Sequence, residues 1–243
     1  MDPVGVSLLV TAALLWLVAL LLLLMRKPSG ARHRKNPVEL DLLGHRMQIT
    51  QVFHDPVIRV VHGFVTSTEA GELIEEYRSL LAPSTVASND HHTSNSLHAS
   101  RTSWSAFLPA GSSGDLIEKI EDRAVLISGK PMQFMETLQL VRYEGSEQFY
   151  RNHFDYFHND PESQRTTTIF VYLNDTSGEA PTSFPRLGLE VLPKCGSACV
   201  WENCYAHGRG LKCDDRLEHA GVPPKTVTKY GLNIWFRTLP FRN

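Results

Sequence analysis

Two residues near the middle of the chain have side chains that bind metals well, and only one residue separates them. His153 and Asp155 lie in the segment YRNHFDYF, residues 150–157, which has the aromatic bulk typical of a strand. Residues i and i+2 of a strand point to the same face, so the imidazole and the carboxylate would lie side by side with Phe154 turned away. The pair predicts two ligands of one metal ion, and a third ligand has to come from another segment.

The best candidate for the third ligand is His219, in RLEHAGVP, because it lies just ahead of a predicted strand over residues 226–237. Two imidazoles and one carboxylate on one face of an octahedron leave three positions open, which is the arrangement of non-haem Fe(II) oxygenases. A structural zinc ion would instead be closed by four ligands, and a catalytic zinc would more often have three ligands and a water. The H-x-D spacing alone is a weak signal, since two surface polar residues would produce it too. The hypothesis therefore depends on the rest of the chain.

Short β-type runs separated by turn residues fill the chain from about Met132 onward, and they must position these ligands. They are FMETLQLVRY, TTTIFVYLND, GLEVLPKCG, ACVWEN and TVTKYGLNIWFR, and together they indicate an antiparallel barrel or jelly roll. Two helices are predicted before them, over residues 66–81 with the N-cap at Ser67 or Thr68, and over residues 116–127. The predicted fold class is α+β, mainly β, with helices that come first in the chain and pack on one face of the sheet.

Residues 1–26 are predicted to be a transmembrane anchor. Residues 4–25 carry no charge and are long enough to cross a hydrocarbon layer of about 30 Å as a helix. A cleaved signal peptide is the competing interpretation, but its apolar region usually covers only about 7–15 residues. A basic juxtamembrane linker is predicted over residues 27–36 and one globular domain over residues 37–243. The sequence therefore predicts a single-pass membrane protein.

Two features disagree on which side of the membrane the domain lies. Basic residues follow the span, and by the positive-inside rule they would keep that side in the cytosol; they are Arg26, Lys27, Arg32, Arg34 and Lys35. The four cysteines form an even, clustered set typical of an oxidising lumen; they are Cys195, Cys199, Cys204 and Cys213. A zinc site is the weaker alternative for them, because the paired C-x-x-C form is missing. We favour the endoplasmic reticulum or Golgi with a lumenal domain, and a cytosolic domain is the alternative.

Other binding functions receive less support from the sequence. A net charge of −2 gives no sign of the positive field that nucleic acid requires, so nucleic-acid binding is disfavoured. Residues 84–100 are rich in Ser, Asn, Thr and His and are predicted to be a mobile loop. We interpret His91, His92 and His98 as surface residues of this loop rather than metal ligands. The sequence gives no indication of the oligomeric state.

The C-terminal half resembles the 2-oxoglutarate-dependent prolyl 4-hydroxylases of the collagen and plant cell-wall type, in the order and spacing of several motifs. The matching segments are LQLVRYEGSEQFYRNHFDYF, QRTTTIFVYLNDT, PTSFP, GLEVLPKCGSACVW, LEHAGVP and KYGLNIWFR. They cover about residues 138–237, with a fainter match at residues 99–108, ASRTSWSAFL. The resemblance implies a double-stranded β-helix, or jelly roll, in a membrane-anchored member of this family.

The resemblance also implies roles for individual residues. It makes His153, Asp155 and His219 the iron ligands, and Lys229 the cation that holds the distal carboxylate of 2-oxoglutarate. A buried ammonium suits that role, because charge-assisted hydrogen bonds to a carboxylate offset its desolvation. The other matched residues are Tyr172, Tyr143 and Thr182 for the cosubstrate pocket, and Arg165, Trp235, Arg237 and Arg101 for the peptide substrate.

The implied reaction is hydroxylation of peptidyl proline at the 4-position with Fe(II), 2-oxoglutarate and dioxygen. It releases succinate and carbon dioxide, and ascorbate is the implied reductant. Two other functions remain open: hydroxylation of another peptide side chain such as lysine, and a catalytically silent barrel that binds peptides or glycans. Departures from the family pattern put the peptide specificity in doubt. They are Gly-Glu-Ala-Pro at residues 178–181 in place of Gly-Gly, Tyr230 in place of tryptophan, and a Cys-bearing segment between Trp201 and His219.

Overall fold

The computed structural model describes residues 37–85, 100–108, 115–158, 160, 162–208 and 210–242. The predicted membrane anchor, the linker, and the predicted loop with His91, His92 and His98 lie outside these residues, apart from the loop's ends. Within the described part of the chain, no helix is long and apolar enough to cross a membrane.

The described residues are mostly β-strand, so the mainly β prediction is confirmed. The strands are β1 Val38–Leu42, β2 His45–His54, β3 Val57–His62, β4 Ala82–Pro83, β5 Trp104–Phe107, β6 Gln139–Glu144, β7 Tyr150–His153, β8 Arg165–Tyr172, β9 Thr182–Phe184, β10 Leu189–Val191, β11 Ala198–Glu202, β12 Cys204–His207, β13 Gly210–Cys213, β14 His219–Gly221 and β15 Thr228–Arg237. The helices are α1 Ser67–Tyr77 and α2 Asp115–Ser128, with short 3-10 helices at Arg78–Leu80, Met132–Phe134, Pro185–Leu187 and Asp215–Leu217. Both predicted helices and all five predicted β-type runs are therefore confirmed.

Two antiparallel sheets face each other, as in a jelly roll. The larger sheet has the order β1-β2-β3-β11-β8-β15-β6-β5-β4, and the smaller one has the order β10-β9-β14-β7. Apolar side chains from both sheets form one cluster between them; they include Ile58, Val141, Phe170, Tyr172 and Trp201 from the larger sheet and Phe184 and Val191 from the smaller. The burial of this apolar surface holds the smaller sheet, which carries β7 and β14, against the larger one.

The helices pack on the opposite face of the larger sheet, as predicted. Alternation along β8 places Phe170 and Tyr172 in the cluster between the sheets, and Ile169 and Val171 in a second cluster under the helices. The helices contribute buried residues to that second cluster; among them are Leu73 and Tyr77 of α1 and Ile120 and Ala124 of α2. The larger sheet is thus covered by one apolar cluster on each face, and this packing holds β8 and β15 rigidly.

Two expectations about the N-terminal half were wrong. Strands β1, β2 and β3 precede the helices, and β3 joins the larger sheet by pairing with β11. The N-cap of α1 is Thr66, because a glutamate three residues later completes a capping box. The Thr66 hydroxyl accepts from the backbone N–H of Glu69 at 3.1 Å, and the Glu69 carboxylate accepts from the backbone N–H of Thr66 at 2.7 Å.

One disulfide closes the hairpin formed by β12 and β13. The register of this hairpin sets Cys204 directly opposite Cys213, and the two sulfurs are bonded. Cys195 and Cys199 are free thiols, and Cys199 is buried in β11. The four cysteines therefore do not form a zinc site. They form one disulfide and leave two free thiols.

Replacing both hairpin cysteines with serine is expected to lower the free energy of unfolding by about 2–3 kcal/mol. The bridge joins residues nine positions apart, and closing a loop of that length restricts the unfolded chain. Urea unfolding of the oxidised double variant Cys204→Ser/Cys213→Ser would measure the loss. The matched control is Cys195→Ser, which removes a half-buried free thiol and should leave the midpoint unchanged. An equal midpoint for the double variant and the parent protein would contradict the assignment of the bridge as a stabilising one.

Candidate metal centre and active site

The smaller sheet brings the three predicted metal ligands together. His219 of β14 pairs directly with His153 of β7, and the two ring centroids lie 4.2 Å apart. Asp155 follows two residues later, in a bend just beyond the end of β7 rather than on the strand as predicted. One ligand atom from each residue lies within 4.8 Å of the other two. The chain thus presents two imidazoles and one carboxylate around one point.

Hydrogen bonds fix which nitrogen of each imidazole faces that point. The Nδ1 atom of His153 lies 2.8 Å from the carbonyl oxygen of Arg151, and the Nδ1 atom of His219 lies 3.0 Å from that of Leu217. A carbonyl only accepts, so each Nδ1 carries a hydrogen, and in the neutral ring the lone pair is then on Nε2. Each Nε2 lies 3.6 Å from an Asp155 oxygen, His153 from Oδ1 and His219 from Oδ2.

The protonation states at this point suit a divalent cation. Burial lowers the pKa of His219 to about 4, and repulsion from His153 adds to the effect, so the ring is neutral near neutral pH. Burial alone would raise the pKa of Asp155, but attraction to His219, which is cationic at the acid pH where this carboxylate takes up a proton, and to Arg165 outweighs burial and lowers the pKa. Two imidazole nitrogens and one carboxylate are the ligand set of a non-haem Fe(II) site. The residues present therefore fit Fe(II).

Lys229 lines the same cavity as the three ligands. It has no exposed surface, and its Nζ donates to the carbonyl oxygen of Ala180 at 2.8 Å. No carboxylate of the described residues pairs with it, and burial lowers its pKa to about 7. The cavity is lined by Tyr143, Phe170, Thr182, Trp201, Gly221 and Asn233, together with the ligands, Tyr150, Trp235 and Lys229. A buried cation with no counter-charge among the described residues marks the surroundings of Lys229 for an anionic group.

The three other residues predicted for the cosubstrate pocket lie around Lys229. Thr182 and Tyr143 line the cavity, while Tyr172 sits behind Thr182 and donates its hydroxyl hydrogen to Thr182 Oγ1 at 2.9 Å. Tyr172 Oη therefore supports the pocket wall in this structure rather than facing the cavity. Gly221 makes room for Tyr143, because a Cβ at that position would lie 3.0 Å from the tyrosine hydroxyl.

The residues predicted for the peptide substrate form one charged cluster beside the metal ligands. Glu136, which sequence reasoning missed, is 4% exposed and accepts from Arg165 at 2.7 and 2.8 Å and from Arg237 at 2.7 Å. The guanidinium of Arg165 lies 3.8 Å from the ring centroid of Trp235. A signal for Glu136 exists in the sequence, since it is a lone acid among the apolar residues of FMETL. Two arginines share one carboxylate, so the cluster keeps a net positive charge.

This cluster lines a groove that meets the metal cavity. Tyr150, Asp155 and Trp235 line both, so the two spaces adjoin at the ligands. Arg101 also lines the groove, and it donates to Ser103, Gln139 and the carbonyl oxygen of Thr85. The remaining walls are largely aromatic and include Phe107, Phe154, Tyr156, Phe157 and Phe241. The buried Trp235 Nε1 has no hydrogen-bond acceptor among the described residues.

The Gly-Glu-Ala-Pro turn, which departs from the family pattern, contacts Lys229 directly. Ala180 has a φ of 58°, a left-handed conformation that is strained for a residue with a Cβ. Glu179 holds the turn in place, because its Oε1 accepts from the backbone of Thr226 and Val227 and from the Thr226 hydroxyl at 2.8–3.1 Å. The turn is thereby fixed to the two residues that precede β15, and the carbonyl oxygen of Ala180 accepts from the Lys229 ammonium.

Comparisons with known proteins agree with this geometry. Residues 138–237 match the family described as the 2OG-Fe(II) oxygenase superfamily. The chain is 31% identical to probable prolyl 4-hydroxylase 4 of Arabidopsis thaliana over 220 residues, which are 80% of this chain and 72% of that protein. It is 32% identical to prolyl 4-hydroxylase subunit alpha-1 of Homo sapiens over 143 residues, which are 56% of this chain and only 26% of that protein. The 2OG complex of the viral collagen prolyl hydroxylase from Paramecium Bursaria Chlorella virus-1 superposes with a TM-score of 0.59 at 25% identity, covering 75% of this chain and 96% of that one.

Proposed function

This chain belongs to the 2OG-Fe(II) oxygenase superfamily, with prolyl 4-hydroxylases among its relatives, and from this premise we propose that it hydroxylates peptidyl proline at the 4-position. It is an enzyme that uses Fe(II) and 2-oxoglutarate, and ascorbate is the reductant typical of its family. The observation that carries the proposal is the convergence of His153, Asp155 and His219 within 4.8 Å, in a cavity that the buried Lys229 also lines.

The three converging side chains would hold the Fe(II) ion on one face. When bound, Fe(II) and 2-oxoglutarate supply the oxidising chemistry, in which dioxygen is consumed and succinate, carbon dioxide and the hydroxylated product are formed. The protein's residues position the reactants and exclude water. The Nδ1 hydrogen bonds of the two histidines hold both rings with Nε2 toward the ion.

Lys229 would bind the distal carboxylate of 2-oxoglutarate. Its ammonium is already buried, so a carboxylate that reaches it forms a charge-assisted hydrogen bond away from water. Thr182 and Tyr143 offer hydroxyl groups on the same wall, and Phe170 and Trp201 close the sides of the cavity.

The affinity for 2-oxoglutarate is expected to fall as the pH rises above about 7, because burial lowers the pKa of Lys229 to about 7. Below that pH the lysine already carries the charge that the dicarboxylate requires. Above it, binding must take up a proton, so the dissociation constant rises by about tenfold per pH unit. Calorimetric titration in two buffers of different ionisation enthalpy would measure both the affinity and the proton uptake. A constant affinity and no proton uptake up to about pH 9 would contradict the role of Lys229.

The groove beside the ligands would hold the peptide. Trp235 Nε1 can only donate, and a backbone carbonyl of a bound peptide would supply the acceptor that the described residues do not. The aromatic walls offer flat apolar faces to proline rings, and the Arg165, Glu136 and Arg237 cluster holds the side of the groove rigid. A proline-containing peptide or protein is therefore the proposed substrate.

The function is tested by incubating the purified protein with Fe(II), 2-oxoglutarate, ascorbate and a proline-rich peptide. We expect succinate and a peptide that has gained one oxygen atom on proline. Succinate without a modified peptide would direct the search to another side chain, such as lysine. The absence of both products, with iron shown to be bound, would support a silent peptide-binding or glycan-binding barrel instead.

We further propose that the protein is anchored in the membrane of the endoplasmic reticulum or Golgi with its domain in the lumen. The uncharged residues 4–25 and the disulfide between Cys204 and Cys213 support this location. Protease added outside sealed microsomes should leave the domain intact until detergent opens them. Digestion without detergent would show the cytosolic orientation that the basic flank predicts.

A further inference from the structure

A buried hydroxyl contacts the carboxylate of the metal-binding cluster. The Oγ1 atom of Thr168, on β8, lies 2.6 Å from Asp155 Oδ2, and Thr168 is 1% exposed. The same Oγ1 lies 2.8 Å from the side-chain nitrogen of Asn203. A hydroxyl has a single hydrogen, so the direction of these two bonds decides what Asp155 receives.

The direction of the hydrogen bonds from Asn203 to Thr168 and from Thr168 to Asp155 follows from Trp201. Its indole Nε1 only donates, and it lies 2.8 Å from the side-chain oxygen of Asn203. The Asn203 oxygen is therefore the acceptor, and the Asn203 nitrogen faces Thr168. That nitrogen only donates, so Thr168 must accept from it and its one hydrogen must point to Asp155. The sequence of donors runs from Trp201 through Asn203 and Thr168 to the carboxylate, and we call these three residues the relay.

The relay is buried and anchored at Asn203. Trp201 is 2% exposed and Asn203 1%, so water does not compete for these bonds. The backbone N–H of Asn203 donates to the carbonyl oxygen of Thr166 at 2.7 Å, and its own carbonyl accepts from Asp214 at 2.9 Å. The next residue is Cys204, which is bonded to Cys213. The base of the disulfide-closed hairpin thus holds the asparagine in one place.

We propose that the relay is a positioning device for the metal ligand Asp155. It holds the carboxylate in one rotation by engaging Oδ2 and leaves Oδ1 without a hydroxyl or amide donor among the described residues. A carboxylate that is free to rotate would bind the metal in several geometries, and a chelating one would occupy an additional coordination position. The inference rests on the metal-binding role proposed for Asp155, and it assigns a part in metal affinity to Thr168, Asn203 and Trp201, which are not among the three proposed ligands.

The test is the affinity of the purified full chain for Mn(II), a probe that does not oxidise in air, with free Mn(II) measured by electron paramagnetic resonance. Thr168→Val keeps the shape of the side chain and removes the hydroxyl, and it should weaken Mn(II) binding about 10-fold to 100-fold. Thr168→Ser keeps the hydroxyl and should retain an affinity within about threefold of the parent. Thr167→Val is the matched control, because Thr167 is equally buried on the same strand but its hydroxyl donates to Glu202. The Thr167→Val variant should bind Mn(II) with the affinity of the parent protein.

A second variant, Asn203→Ala, shows whether weaker Mn(II) binding comes from loss of the relay or from a general loss of structure. Asn203→Ala should weaken Mn(II) binding, but it should add nothing further in a chain that already carries Thr168→Val, because Asn203 acts through that hydroxyl. Additive losses, equal losses in the Thr167→Val control, or parent-like affinity in Thr168→Val would each overturn the relay. Because Asn203→Ala gives its own readout, the test stands if Thr168→Val fails to fold. Parent protein that binds no Mn(II) would instead overturn the proposed metal centre itself.

Discussion

Replacing Asp155 with alanine should reduce succinate formation at least about a thousandfold, because the site would lose one of three ligands and the one carboxylate that the described residues place in it. Two imidazoles would remain, and they hold a divalent cation far more weakly. The measurement is succinate release at saturating 2-oxoglutarate, together with Mn(II) binding to the same preparation. Both readouts should fall together.

The matched control for this variant is Asp122→Ala. Asp122 is an exposed carboxylate on α2, remote from the ligands in the chain and on the helical side of the sheet. Its loss removes the same charge from the protein as a whole but none from the site. If Asp155→Ala retained more than a few per cent of the parent activity at unchanged metal affinity, His153 and His219 would need a different third partner.

Replacing Lys229 with methionine should raise the KM for 2-oxoglutarate about 100-fold to 1,000-fold, since removing one partner of a buried charge pair costs about 3–5 kcal/mol. Methionine has nearly the same volume, so the fully buried position stays filled and the fold should hold. Initial rates over a range of 2-oxoglutarate concentrations would separate KM from kcat. The loss should appear mainly in KM.

Lys225→Met is the corresponding control, because Lys225 is exposed and precedes the same strand. It should leave KM unchanged. A parent-like KM in Lys229→Met would mean that the distal carboxylate is held elsewhere, with Arg165 the next cation to consider. Thermal unfolding of both variants would show whether either has lost stability.

The core of the fold was predictable because alternation and turn residues mark each strand separately. The sequence TTTIFVYLND became β8, with Phe170 and Tyr172 on one face and Ile169 and Val171 on the other. β1–β3 were not predicted, although HRMQITQVFH alternates and Gly44 and Pro56 mark its ends. Their membership of the larger sheet depends on β3 pairing with β11, more than a hundred residues away, and no local pattern specifies such a partner.

The sequence predicted the metal ligands and Lys229, but not the residues that hold the site in place. The order of motifs pointed to His153, Asp155, His219 and Lys229, yet only the pairing of β7 with β14 sets the two histidines side by side. Asn203 belongs to no motif, and Glu136 is marked in the sequence only as a lone acid in an apolar run. The contacts of Glu136 with Arg165 and Arg237, and of Asn203 with Thr168, become visible only in the folded chain. The single disulfide was equally hidden, because the pairing depends on the hairpin register that sets Cys204 opposite Cys213.

The measurement that tests the central claim most directly is a turnover in dioxygen labelled with the heavy oxygen isotope. The purified protein would be given Fe(II), 2-oxoglutarate, ascorbate and a proline-rich peptide, and both products would be analysed by mass spectrometry. We predict one labelled atom on C4 of a proline in the peptide and one in succinate, and neither product in the Asp155→Ala variant. Hydroxyproline without label, or labelled hydroxyproline made equally well by Asp155→Ala, would contradict a dioxygenase built on His153, Asp155 and His219.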